Sequence, residues 1–166
     1  MVQRRVGLWK LELWEQKLDK ASQNLTDVFA FFNEIGILSQ LSSAQLQKVL
    51  PDGLHPSHFA ILNHLMRLSD GKTPASMASA FQITKATMTH SLSVLSKNGY
   101  IRIEANADDG RSKLVYITDK GRDCRDQSVH SITAMIGSKF TDAQIDQMRH
   151  LIEPLAKIRK IMDENR

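Results

Sequence analysis

At Asn98-Gly99 the chain changes its rhythm, and that change narrows the possible folds more than any other feature. Before it, apolar residues recur at helical spacing. Phe59, Leu62, Leu65 and Met66 mark one segment, and Met88, Leu92 and Leu95 mark another. After it come Tyr100-Ile101-Arg102-Ile103-Glu104 and Lys113-Leu114-Val115-Tyr116-Ile117, rich in β-branched and aromatic residues. Between them lies the polar run Asn106-Ala107-Asp108-Asp109-Gly110-Arg111-Ser112. Two such runs around a Gly-containing loop predict a β-hairpin. A lone hairpin is marginal in water and needs helices to pack against. The expected class is therefore mainly α with one small β-hairpin.

The breakers and caps divide the rest into helices. Leu8 to Leu18 reads as a short amphipathic helix carrying Trp9 and Trp14, and a longer helix is expected from about Leu25 to Leu50, ended by Pro51-Asp52-Gly53. Pro56 suits a helical first turn, because its missing N–H has no partner there in any case. That helix should reach about Leu68. Thr73-Pro74 then opens a short helix to Phe81, and Thr84 caps the next one. Thr118 can cap a helix from Asp119 to about Lys139. Thr141-Asp142-Ala143-Gln144 matches a capping box for the last helix, where Pro154 predicts a kink or an early end.

A short helix pair around a tight turn, a second helix rich in small polar residues and a basic hairpin follow in series. This is the order of a winged helix-turn-helix, in which a helix enters the major groove and a hairpin tip reaches the backbone or minor groove. If Met88, Leu92 and Leu95 face inward, 100° per residue puts Ala86, His90, Ser93 and Lys97 outward, flanked by Thr87 and Thr89. Side chains this short allow close approach, supply hydrogen-bonding groups, and in threonine add a methyl for thymine. From Thr84 to Arg122 there are seven cations (Lys85, Lys97, Arg102, Arg111, Lys113, Lys120, Arg122) against four anions. Three of the chain's four net positive charges thus fall in this segment, as a phosphate backbone requires.

The run from Gly53 to Gly121 resembles the DNA-binding domain of the MarR family of regulators. The similarity rests on Leu54-His55-Pro56-Ser57-His58-Phe59-Ala60-Ile61-Leu62, on Met88-Thr89-His90, and on Leu95-Ser96-Lys97-Asn98-Gly99-Tyr100-Ile101. Most specific is Asp109-Gly110-Arg111 ahead of a strand and Ile117-Thr118-Asp119-Lys120-Gly121, matching the family's wing tip and its Leu/Ile-Thr-x-x-Gly signature. The resemblance implies a homodimer on a near-palindromic duplex site, usually a repressor. Its segments would be dimerisation helices over 1–52, a winged domain over 53–118 and dimerisation helices over 119–166. It further implies DNA contacts by Thr84, Lys85, Ala86, Thr87, Thr89, His90, Ser93, Lys97, Arg102, Asp109, Arg111 and Lys113. Within the tip, the Asp109 carboxylate is expected to hold the Arg111 guanidinium. A small aromatic or phenolic effector is also implied, in a cleft lined by Phe32, His58 and Phe59. The chain departs from the pattern at Gln82, where glycine is common, at His90 and Ile103, where arginine is frequent, and at Gly110, where a second basic residue is usual. These departures predict fewer strong phosphate and guanine contacts.

Other functions leave weaker traces. No nucleophile elbow, phosphate-binding loop or metal-protease motif is present, so no enzyme and no cofactor are expected. Cys124, the only cysteine, has Arg122, Arg125 and His130 nearby in sequence, which would suit a redox sensor, but an inert buried thiol is the expectation. His55-x-x-His58 has metal-compatible spacing without a defined ligand set, so no metal site is expected; His55 is a candidate helix cap. A dimeric adapter that keeps the fold without specific DNA binding is the alternative from another class. One cysteine, no signal-like run and no membrane-spanning run point to the cytoplasm.

Overall fold

Helix α1 spans Arg5–Gln47 without interruption. Two helices are expected from the sequence here, and the structure corrects this to one. Asp19 to Asn24 is polar but contains neither glycine nor proline, so nothing breaks the hydrogen-bond ladder. The helix tightens at its end: the N–H groups of Lys48 and Val49 donate to the carbonyls of Gln45 and Leu46 at 3.1 and 3.0 Å. The computed structural model describes residues 5–68, 70–107 and 109–165. The side chains of 5–16 and of Leu18 lie outside that description, and so do those of Trp9 and Trp14.

Two compact units divide the chain at Met1–Ala44 and Gln45–Arg166. The first is most of α1, with Leu25, Val28, Phe29, Leu38 and Leu41 more than half exposed within the single chain. The second holds α2 (Pro56–Leu68), α3 (Pro74–Ala80), α4 (Lys85–Lys97), β1 (Ile101–Ala105), β2 (Lys113–Ile117), α5 (Asp119–Gly137) and α6 (Asp142–Glu164). Threonine hydroxyls cap four of these helices. Thr73, Thr84 and Thr118 each accept from the N–H three residues on, at 3.1 Å, and Thr141 forms a reciprocal box with Gln144. Pro154 does not end α6, which runs on to Glu164.

Strands β1 and β2 pair antiparallel, Ile101 opposite Ile117 and Ala105 opposite Lys113. Lys72 bridges to Val115 on the free side of β2, anchoring the hairpin to the α2–α3 turn. The core consists of Leu54, Ile61, Leu62 and Leu65, Met77, Met88, Leu92 and Leu95, and Val115, all essentially inaccessible. The apolar faces read from helical spacing are the ones that pack here.

The exit of α4 and the entry of α5 are tied together. Thr118 donates its hydroxyl to the Gly99 carbonyl at 2.7 Å and its N–H to the Tyr100 carbonyl at 3.1 Å, while its Oγ1 caps α5. Gly121 closes against the same Tyr100 carbonyl and the Ile117 side chain. A Cβ there would lie 2.1 Å from the Tyr100 carbonyl oxygen and 2.8 Å from Ile117 Cγ1. The Thr-x-x-Gly spacing is thus the requirement of one junction.

Candidate nucleic-acid interface

Helix α4 buries Met88, Ser91, Leu92 and Leu95 and turns Lys85, Ala86, Thr87, Thr89, His90, Ser93 and Lys97 to solvent. Its cap Thr84 is exposed as well. The helix therefore presents the face read from the sequence. Two threonines on it are already oriented. Thr84 Oγ1 and Thr87 Oγ1 are 2.8 Å apart, and Thr89 donates its hydroxyl to the Lys85 carbonyl at 2.8 Å. With that proton committed inward, Thr89 offers lone pairs and a methyl outward, suited to a base amino group or a thymine methyl.

A groove of about 800 Å³ separates α4 from the hairpin. Thr89, Ser93 and Lys97 line one wall; Ala105, Arg111 and Lys113 line the other. The structure thus brings Thr89, Ser93, Lys97, Arg111 and Lys113 into one concave surface, while Thr84, Lys85, Ala86, Thr87, His90, Arg102 and Asp109 lie outside its lining. The tip is a tight turn in which Ser112 N–H donates to the Asp109 carbonyl at 2.9 Å and Asn106 Nδ2 reaches Ser112 Oγ at 2.9 Å.

Two details differ from expectation. The Asp109 carboxylate accepts from the backbone N–H of Arg111 at 3.1 Å, and among the described residues no ion pair holds the guanidinium. The residues are two apart, so the carboxylate reaches the nearer main-chain donor first, an Asx-type turn. Arg102 is also not free. Its Nη1 lies 2.9 Å from Glu104 Oε1, and the guanidinium sits 4.6 Å above the Tyr116 ring. Sequence reasoning missed Glu104, although strand alternation puts residues 102 and 104 on one face.

The remaining candidates behave variously. Phe32 is 40% exposed on α1, in the first unit; His58 is buried and Phe59 half-buried in the second. His55 does not cap α2 with its ring. Instead His58, the third helical residue, reaches back so that its Nδ1 accepts the His55 N–H at 3.1 Å, and the His55 ring meets Gln47 Oε1 at 3.2 Å. Burial lowers the His58 imidazole pKa, helped by the neighbouring His55 and His90. Cys124 is buried, and burial raises its thiol pKa against weaker hydrogen bonds from Ser128 and Tyr100. The arginines near it in sequence are engaged elsewhere, Arg122 with Asp70 and Arg125 with Asn63 and Asp126. No helix among the described residues is long and apolar enough to cross a membrane.

A capped helix with a short polar face, set across a groove from a hairpin that carries Arg111 and Lys113 on its groove side, has the layout of a winged helix-turn-helix of the DNA-binding class. The chain matches the model of the MarR family over residues 52–112. It is 26% identical over 151 residues to an uncharacterized HTH-type transcriptional regulator, YkoM, of Bacillus subtilis, covering 90% of this chain and 93% of that one. Among solved structures it resembles a MarR transcriptional regulator from Methanosarcina mazei, with TM-score 0.65, 22% identity and coverage of 80% and 97%. It also resembles a mutant MarR from E. coli complexed with operator DNA, with TM-score 0.59, 18% identity and coverage of 78% and 95%.

Proposed function

We propose that this chain is a cytoplasmic homodimeric regulator that binds a near-palindromic operator and represses by occupying it. The observation that carries the reading is the groove that joins the α4 face to the wing. Thr87, Thr89 and His90 read base edges, and Ser93 and Ala86 allow the close approach. Lys85, Lys97 and Lys113 meet phosphates, which supply affinity without sequence information. Arg111 enters the minor groove from a turn that Asp109 holds in shape. Supporting the dimer are the apolar faces of α1 and α6: Phe29 and Leu25 on one, Ile152, Leu155 and Ile161 on the other. In a lone chain each of these faces would be exposed apolar surface. A two-fold dimer sets its half-sites about 10 bp apart, centre to centre. A small aromatic effector near Phe32, His58 or Phe59 belongs to the same reading.

Selection of bound duplexes from a random pool, with light scattering on the protein, tests the proposal. A palindromic consensus and a dimeric mass are expected, and Arg111→Ala should lose preference for A·T-rich flanks. A dimer retained on no duplex in a salt gradient would leave the adapter reading in its place, and a monomer would overturn both readings. A reporter downstream of the selected site, with and without the chain, gives the direction of regulation.

A further inference from the structure

Helix α3 ends in a motif that dictates the backbone of the next residue. Phe81 is the C-cap, Gln82 N–H donates to the Ser79 carbonyl at 3.1 Å, and Ile83 N–H donates to the Ala78 carbonyl at 3.1 Å. This paired pattern forces the residue after the cap into the left-handed region, where glycine is the usual occupant. Helix α4 ends in the same way. Gly99 N–H donates to the Ser96 carbonyl at 2.9 Å, Tyr100 N–H donates to the Leu95 carbonyl at 2.9 Å, and Gly99 has φ +75°. Among the described residues every other positive φ belongs to glycine, at Gly53, Gly71 and Gly99. Only Gln82, with φ +52°, carries a side chain there.

A side chain placed at a conformational cost calls for a compensating use. The fold supplies none. Gln82 is exposed, and no hydrogen bond of its amide appears among the described residues. It lies two residues before Thr84, at the start of an unbroken exposed run, residues 82–87, that leads into α4. That is the end of the helix that enters the groove in the reading above. A neutral amide carrying two N–H donors, held at this edge, suits an anionic oxygen of the duplex backbone.

We infer that Gln82 is a DNA-contacting residue whose side-chain amide donates to a backbone phosphate of the bound duplex, anchoring the entrance of α4. The inference rests on the proposed DNA binding. It predicts that Gln82→Gly relaxes the turn and removes the contact together. Its melting temperature should stay level or rise by a few degrees. Its affinity should fall about three- to tenfold, the net worth of one ordinary solvent-exposed hydrogen bond. The loss should be equal for the selected operator and a random duplex, because a phosphate carries no sequence. Gln82→Lys should bind both duplexes more tightly than Gln82→Gly and steepen the salt dependence by about one unit. Fluorescence anisotropy over a salt series, paired with thermal melts, reads all of these. Salt-dependent binding by the parent with an unchanged affinity in Gln82→Gly overturns this inference alone. No duplex binding by the parent overturns the DNA reading and the inference with it. A lower melting temperature in Gln82→Gly contradicts the strain on which the argument stands.

Discussion

Asp70 and Arg122 are 52 residues apart in sequence and meet at 2.8 Å, Oδ2 against Nη2. The other carboxylate oxygen, Oδ1, accepts the N–H of Ile117 at 2.8 Å, and Arg122 Nη1 contacts Met66 Sδ at 3.2 Å. One carboxylate thus joins the turn after α2 to the end of β2 and to the first turn of α5. It fixes the base of the hairpin where the strands leave the core.

Removing this carboxylate should loosen the wing without unfolding the domain. Asp70→Ala strands the Ile117 N–H and the guanidinium together. The ion pair is partly solvated, so its share is small, and the buried N–H dominates a cost of about 1–2 kcal/mol. Asp70→Asn keeps an acceptor for Ile117 and should lose less. Thermal melts should therefore rank wild type above Asn above Ala, and hydrogen exchange of the Ile117 amide should speed up in the Ala variant. Equal melting temperatures would contradict the assignment.

Gly121→Ala should be among the most damaging substitutions in the second unit. The added methyl meets a backbone carbonyl, not a movable side chain. Relief requires α5 to shift away from β1, so a loss of about 3 kcal/mol or more is expected. Gly110→Ala, where a Cβ meets nothing within 4 Å, is the matched control and should melt close to wild type. Chemical denaturation of both variants checks the contrast.

Acid should destabilise the fold through His58. Its folded pKa is depressed by burial, with His55 and His90 adding to the effect; His64 is depressed by burial and by Arg67 and Lys72. The unfolded chain then binds protons more readily than the folded one. The stability these groups contribute is fully present above about pH 6.5, the ordinary imidazole value, and is lost as pH falls through the folded pKa. Protonation also takes from His58 Nδ1 the lone pair that accepts the His55 N–H. Melting temperature should decline from pH 7 to pH 5, and His58→Gln should flatten part of that decline. A His58→Gln profile parallel to wild type would exclude His58 as a source.

Glu104 should act against non-specific binding. It occupies Arg102, which would otherwise be free for phosphate. Glu104→Gln removes the anion and releases the guanidinium, so affinity for a random duplex should rise several-fold and its salt slope should steepen. Operator affinity should rise less, narrowing the ratio between the two. Anisotropy titrations at two salt concentrations measure this. A weaker random-duplex affinity would mean instead that Glu104 holds Arg102 in its binding position.

The sequence carries this architecture well where it is local. Thr73, Thr84, Thr118 and Thr141 cap the helices they are expected to cap, because a cap is a contact between residues three apart. The outward face of α4 was legible for the same reason: Met88, Leu92 and Leu95 fix its rotation. The continuity of α1 was not, since polar Asp19 to Asn24 resembles a loop in composition while lacking any residue that stops a helix. Long-range pairings were also out of reach. Nothing in the run around Arg122 names Asp70 as its partner, and nothing near Asp109 distinguishes a guanidinium from a main-chain N–H as its donor.

The knot at Thr118 has a mechanical consequence. The Gly99 and Tyr100 carbonyls, in the link between α4 and β1, and the first turn of α5 all bond to Thr118, and Gly121 leaves no slack between them. Helix α5 is 19 residues long, a rod of about 28 Å. A stiff rod fixed without slack to a body turns together with that body. A tilt of about 5° about Thr118 therefore sweeps its far end through about 2.5 Å, and run in reverse a push of that size at the far end arrives at the reading head as rotation. In the proposed dimer the half-sites would repeat with fixed pitch, so angular error, more than displacement, is what two coupled heads would fail to absorb.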